Sequence, residues 1–387
     1  MEFYFFHLMP WPYLPEDFPR RHSSAWVTVA GELYQPELGE KLYHRYLDEL
    51  VRGEELGFDG ICVNEHHQTA YGLMPAPNLI AAMLVQRTQK VKIVILGNAL
   101  PLRDHPIRVA EEVAMLDVIS GGRVISGFVR GTGAEYHSFG INPTTSRERM
   151  REAHDLIIKA WTHPGPFRWE GKYYSLRYVN PWPRPLQKPH PPIWLPSQGS
   201  RDTIEWVAEK RYVYCQTYSS VDSLRRAFNA VREAAERYGY QASPYQLAWA
   251  VPIYVAETDA RAHEEAERHL LYLFHYLSHR PLDVYFPVGY VSVEDRVRML
   301  KDKYARIAMS FRELEDKGYF LVGSPATVVD RLKDLAAELR FARLIPFLQF
   351  GSLPADLTAK NMELFAREVM PALRPIYAEA APTSAGN

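Results

Sequence analysis

The chain has 387 residues, 45 Lys+Arg against 46 Asp+Glu, and is 47% hydrophobic and 13% aromatic, with 29 Pro and 24 Tyr. That length suits either two or three ordinary domains or one α/β barrel with insertions, and it closes a core without disulfides or metal. Near-neutral charge without a basic cluster argues against nucleic acid or anionic membrane as a partner. Cys62 and Cys215 fit neither a disulfide framework nor a paired metal spacing, and no run nears the roughly 18 apolar residues of a membrane span, so a soluble cytoplasmic protein is expected.

In chain order, Met1 to Phe6 is apolar with no basic flank and reads as a strand rather than a signal peptide. Strands are expected at Glu2–His7, Gly60–Asn64, Val91–Asn98, Val124–Val129, Pro192–Pro196, Tyr212–Thr217, Leu247–Ala256 and Arg343–Phe350. Between them, helical periodicity covers Gly39–Leu56, Pro77–Thr88, Pro106–Ile119, Arg147–Trp161, Ser200–Glu209, Val221–Tyr238 and Ser324–Leu339, with a last helix near Ala359–Leu373. Pro106, Ser200 and Ser324-Pro325 supply helix-start signals.

Strict alternation predicts a parallel sheet with crossover helices, and eight units close a (β/α)8 TIM barrel. A doubly wound open sheet would want a glycine-rich turn after its first strand, where this chain has Leu8-Met9-Pro10-Trp11-Pro12. One domain over 1–375 is expected, with a disordered tail over 376–387. Three stretches exceed a bare barrel: 8–38, 164–191 and 257–323. Loops leaving the C-terminal strand ends surround a barrel's active site, so the first and third should lie over it and the second should open on the opposite face. Phe167 to Tyr174 within the second has the pattern of a hairpin turning at Gly171.

The second strand ends in Asn64-Glu65-His66-His67. Adjacent side chains of extended backbone diverge, so the two histidines cannot easily share a metal, and His275 and His279 lack an accompanying carboxylate motif. No metal is expected. One histidine as general base or hydrogen-bond donor, or a hydrogen-bonded pair under a loop, are the two readings of this motif. The fourth strand runs into Arg130-Gly131-Thr132-Gly133, and the fifth into Ser197-Gln198-Gly199-Ser200-Arg201-Asp202-Thr203. An arginine followed by small residues, beside hydroxyls opening a helix, makes an anion cradle, and neighbouring strands would bring Arg130 and Ser200 together. Ser200 capping its own helix is the simpler alternative for that residue.

The stretch Leu100-Pro101-Leu102-Arg103-Asp104-His105-Pro106 through Asp117, then Ser120-Gly121-Gly122-Arg123, strongly resembles the bacterial luciferase-like flavin monooxygenases. So do Glu55 to Gly60 leading into Glu65-His66-His67, Pro183 to Pro192, Val322-Gly323-Ser324-Pro325 and Glu368-Val369-Met370-Pro371, in the family's order over nearly the whole chain. The resemblance implies a barrel that uses reduced FMN and O2 to oxygenate an organic substrate through a C4a-peroxyflavin, with reduced flavin coming from a separate reductase. His66 matches the family's active-site histidine, with Glu65 beside it. Leu96-Gly97-Asn98 matches the strand end against the isoalloxazine, often through a non-prolyl cis peptide. Arg130 matches the phosphate-contacting arginine and Ser197 to Thr203 the rest of that site, so Gly97, Asn98, Val129, Arg130, Gly131, Tyr136, Ser197, Gly199, Ser200 and Thr203 are the implied cofactor residues. Val129 stands where light-emitting members carry cysteine.

No second nucleotide fingerprint follows a strand, so an NAD(P)H:flavin reductase is the expected partner. A small apolar substrate is expected, a terpenoid, ketone, aldehyde or alkane. Trp11, Tyr13, Phe18, Trp26 and Tyr34, with Phe274, Tyr276, Tyr285, Phe286 and Tyr290, are available as aromatic walls, Trp11, Tyr13 and Phe286 foremost. Deazaflavin F420-dependent hydride transfer and a non-catalytic flavin-binding relative are the alternatives. A carbohydrate-active barrel is disfavoured because the fourth strand ends in Arg130 where an acid would be needed. The resemblance also implies a homodimer.

Overall fold

Eight parallel strands pair into a closed ring in the computed structural model, which describes residues 1–294, 296–297, 299 and 306–381. The strands are β1 (Glu2–Phe6), β2 (Gly60–Val63), β3 (Lys92–Ala99), β4 (Val124–Val129), β7 (Ile193–Ser197), β8 (Val213–Thr217), β9 (Leu247–Val255) and β11 (Arg343–Phe347). Each pairs with the next in that order, and β11 closes on β1 through Glu2 opposite Arg343 and Phe3 opposite Leu344. The fold is therefore a TIM barrel, and all eight expected strands are its staves. Their continuous apolar runs follow from burial on both faces: all nine residues of β9 are buried.

The barrel is filled, not hollow. At its lower end the Tyr4 ring packs edge-on to Trp194 at 4.8 Å, and the Arg343 guanidinium lies 5.2 Å over Trp194. Higher up, Phe6 meets Phe347 at 4.5 Å. The crossover helices match expectation within a few residues. The first is Pro36–Glu55, starting at a proline as a first helical position favours, and the last continues from Ala355–Leu364 through a π turn at Phe365–Val369. Pro106 stands just outside its helix, which runs over Ile107–Ile119.

A ninth parallel strand, β10 (Leu321–Gly323), adds to the last three residues of β9 at the end of the third insertion. The hairpin is present as β5 (Phe167–Glu170) and β6 (Ser175–Val179). Its course differs from the expected one. The segment leaves the lower face, but Glu152 of the helix Ser146–Thr162 accepts the N–H groups of Tyr173 and Tyr174, both at 2.9 Å, drawing the hairpin tip up to the loop after β3, where Tyr174 donates to the Arg103 carbonyl at 3.4 Å.

The chain is also tied down beyond 375. The Met1 amino group donates to the carbonyls of Arg374 and Ile376 at 2.7 Å each, Tyr377 donates to Ala336 O at 2.9 Å, and Ala378–Ala380 forms a 3-10 turn. Of the tail expected over 376–387, residues 382–387 lie outside the described residues. No helix among the described residues is long and apolar enough to cross a membrane.

Candidate active site

The first and third insertions meet over the C-terminal strand ends. The Trp26 indole donates to Leu277 O at 2.8 Å, Tyr272 donates to Trp11 O at 3.0 Å, and Ala25 N–H to His279 O at 2.7 Å. On the other side the third insertion reaches the loop after β4, where Arg130 donates to Tyr290 O at 2.7 Å and lies 3.8 Å over the Tyr290 ring. The insertion thus straps the β1 loop to the β4 loop. Gly133 packs directly under the Tyr285 carbonyl and Pro287, leaving no room for a side chain there.

The paired histidines diverge, each to its own carboxylate. His67 Nε2 lies 2.7 Å from Glu65 Oε1, while the other Glu65 oxygen accepts Arg103 at 2.6 Å and the Ala99 N–H at 3.2 Å. Glu65 is fully buried and spends both oxygens holding the end of β3 to the loop after β2. His66 turns the other way. Its Nδ1 lies 3.0 Å from Oε1 of the buried Glu135, and its ring is clamped edge-on by Trp26 at 5.2 Å and Tyr71 at 5.0 Å. Burial pushes the Glu135 carboxyl up, but the hydrogen bond to His66 and the one from the Thr132 N–H hold the group below the usual carboxylate range.

Around His66 the wall continues as Tyr71 to Tyr218 at 5.9 Å and Tyr218 to Phe347 at 5.4 Å. The Arg280 guanidinium stacks 3.9 Å from both Trp26 and Tyr285. The charges of Arg280 and Arg306 overcome burial and bring the Tyr285 phenol below its ordinary value.

At the end of β3 a one-residue register shift between Ile95 and Asn98 bulges the strand against β4. A Cβ on Gly97 would sit 2.7–2.8 Å from the Gly127 and Phe128 backbone, so only glycine permits the approach. Asn98 is fully buried, yet neither atom of its amide has a hydrogen-bond partner. Such a group costs about 1–3 kcal/mol unless a ligand satisfies it. The cis peptides among the described residues precede Pro183 and Pro189, so the strand end is not of the non-prolyl cis kind.

Ala99, Leu102 and Tyr136 form a small separate cluster with Val129, Ile141 and Tyr290, and the Tyr136 hydroxyl donates to Arg130 O. One loop along, Ser200 is the N-cap of the helix Arg201–Lys210, but its hydroxyl makes no cap bond; its N–H donates to Ser197 Oγ at 3.1 Å. Gly199 takes φ +90° and donates to the Tyr214 hydroxyl at 3.1 Å. Thr203 is half-buried on the first turn of that helix. Among the described residues no hydrogen bond joins Arg130 to this loop; the two flank the pairing of β4 with β7 from its upper end.

Sequence reading placed Trp11 and Tyr13 on the pocket wall, whereas Trp11 is buried against Tyr13 at 5.3 Å and Tyr34 at 4.9 Å, and Tyr13 is half exposed. Trp26, also among the expected aromatic walls, stands beside His66, together with Tyr71. Phe286 is buried edge-on to Tyr285 at 4.3 Å. Glu135, Tyr71, Tyr218 and Arg280 were not singled out as site residues, although Thr132-x-x-Glu135 has the capping-box pattern, and Glu135 does accept the Thr132 N–H at 2.6 Å. No group of three or more His, Cys, Asp or Glu among the described residues is arranged to hold a metal.

A parallel eight-stranded barrel whose strand-end loops carry an arginine, an unsatisfied amide and a histidine–carboxylate pair is an enzyme scaffold of the TIM class. The chain belongs to the luciferase-like monooxygenases, whose family model matches residues 23–343. It is 31% identical over 159 residues to the oxygenase component of flavin-dependent trigonelline monooxygenase from Acinetobacter baylyi, 40% of this chain and 43% of that protein. Limonene 1,2-monooxygenase from Rhodococcus erythropolis is 25% identical over 334 residues, 85% of this chain and 81% of that one. The match spans about half the length of several such curated relatives. The oxygenating constituent of 3,6-diketocamphane monooxygenase from Pseudomonas putida, solved with FMN, shares the fold at TM-score 0.73 and 22% identity, covering 96% of this chain and 98% of that one.

Proposed function

We propose that this chain is the oxygenase component of a two-component flavin monooxygenase, using reduced FMN and O2 to oxygenate a small apolar organic substrate in the cytoplasm. The observation that carries the reading is the buried, unpartnered Asn98 amide on the β3 bulge, a recognition group in need of a polar ligand between the Arg130 loop and His66. The residues present fit FMN: Arg130, Gly131 and the Ser197 to Thr203 loop for the phosphate, Gly97 and Asn98 for the ring. Reduced FMN bound there supplies the electrons that activate O2, one oxygen atom going to substrate and the other to water.

The chain's own residues do the remainder. His66 moves a proton at the reacting centre, and Glu65 holds the β3 end against the His67 loop. Trp26, Tyr71, Tyr218 and Arg280 wall the mouth and exclude water. The strap from Leu277 to Tyr290 opens for exchange and closes for chemistry. Two copies associate through the outer faces of the helices Pro77–Arg87 and Ile107–Ile119.

Three measurements test this. The pure protein with NAD(P)H and FMN should turn over negligibly until a flavin reductase is added; brisk NAD(P)H oxidation by the protein alone would refute the two-component reading. His66→Ala should lower kcat by about 10²–10⁴-fold with an authentic substrate. Anaerobic titration should show tight binding of reduced FMN and not of reduced F420, the reverse result favouring hydride transfer.

A further inference from the structure

We infer that Glu135 is a positioning residue that holds neutral His66 with its proton on Nδ1, so that Nε2 is left as an acceptor and His66 acts as a base rather than a donor. This rests on the monooxygenase reading only for the identity of the reaction that His66 serves. The tautomer itself follows from the local chemistry.

An ionised carboxylate only accepts hydrogen bonds, and Oε1 lies 3.0 Å from His66 Nδ1. Glu135 is fully buried, where a lone carboxylate would be expensive, and it is kept ionised by two donors: His66 on one oxygen and the Thr132 N–H, at 2.6 Å, on the other. Its own position is fixed by the fold. It sits three residues inside the N-terminus of the helix Gly133–Phe139, where the carboxylate also meets the favourable end of the helix dipole. The helix start is pinned in turn by the Tyr285 to Pro287 segment packed on Gly133.

The ring cannot readily escape by rotation. Trp26 from the first insertion and Tyr71 from the loop after β2 clamp it at interplanar angles of 75° and 76°. The other charged groups nearby are engaged elsewhere: Glu65 with His67 and Arg103, and Arg280 on the Trp26 and Tyr285 rings. In water, imidazole favours the proton on Nε2; the carboxylate reverses that preference, as a hydrogen bond to one ring nitrogen settles the role of the other.

Nitrogen NMR of the 15N-histidine-labelled full-length protein, without cofactor and at neutral pH, tests this directly, with His66 assigned by the loss of its signals in His66→Asn. Wild type and Glu135→Asp should show a protonated Nδ1 and an unprotonated Nε2. Glu135→Gln, whose amide can donate to Nδ1, should switch His66 to the Nε2-protonated form. A wild-type His66 already protonated on Nε2, or a tautomer unchanged in Glu135→Gln, overturns the inference; the wild-type spectrum decides even where a variant does not fold. In turnover, Glu135→Gln should lower kcat at least tenfold with KM within twofold. Absence of any wild-type turnover with reduced FMN would count against the oxygenase assignment, while the tautomer would still stand or fall on the NMR alone.

Discussion

His269 shows how a single buried side chain ties the insertion over the barrel to pH. It lies on the helix Asp259–Leu271, with Nδ1 2.9 Å from the Ser352 hydroxyl after β11, and burial followed by the Arg268 charge pulls its pKa down from 6.5 to about 4. Between those values the unfolded chain binds a proton that the folded chain refuses, so stability rises with pH across the window and is lost as pH falls from 6.5 toward 4. Allowing for partial solvent screening, the contribution is ~1–2 kcal/mol. The advantage of wild type over His269→Gln in urea unfolding should therefore shrink by that amount between pH 7 and pH 4; a pH-independent difference would dismiss the linkage. At this same scale the sequence was legible for position: His66, Asn98 and Arg130 stand at or just past the ends of β2, β3 and β4, as the apolar runs before them predict. It was silent on Tyr71, Tyr218 and Arg280, which converge around His66 and Trp26 from separate loops, and on the packing of Trp11, whose ring meets Tyr13 and Tyr34 while Trp26 of the same insertion meets His66.

The β3–β4 contact is where one element's composition governs another's. Gly97 and Gly127 face each other so closely that a Cβ on Gly97 would meet the Gly127 carbonyl oxygen at 2.8 Å, and one on Gly127 would collide with the Ile95 carbonyl. Gly127→Ala should cost about 1–3 kcal/mol in chemical denaturation by overpacking, and it should weaken FMN binding by moving the bulge that presents Asn98. Gly31→Ala, with nothing within 4 Å of the new methyl, should stay within about 0.5 kcal/mol of wild type. Equal effects from both substitutions would remove the packing argument. The eight staves were readable because strands buried on both faces are uninterrupted apolar runs, and the helices because their amphipathic period was long. Strand β10 escaped because three residues carry no period, and the hairpin's climb because Glu152 captures its tip through contacts that only the folded helix creates.

For the molecule as a whole, the unusual feature is an apolar surface on two neighbouring crossover helices. Leu79 is 65% exposed and Met83 49%, one turn apart on the helix Pro77–Arg87; Met115 and Ile119, also one turn apart, are 45% and 52% exposed on Ile107–Ile119, with Val118 beside them. Barrel helices ordinarily turn such residues inward, and the same helices already bury Ile80, Leu84, Val109 and Val113 against the barrel. Apolar residues grouped on one outward face are the signature of an interface, and a self-complementary patch closes two copies by a twofold axis. Wild type should therefore sediment as a dimer at micromolar concentration, and the double substitution Leu79→Glu with Ile119→Lys should sediment as a folded monomer of 44.6 kDa. Because the patch lies on the barrel's flank while His66, Asn98 and Arg130 stand at the strand ends, that monomer should still bind FMN with an affinity within about threefold of wild type. A wild type that is monomeric throughout, or a double variant that stays dimeric, would take the contact away from these helices.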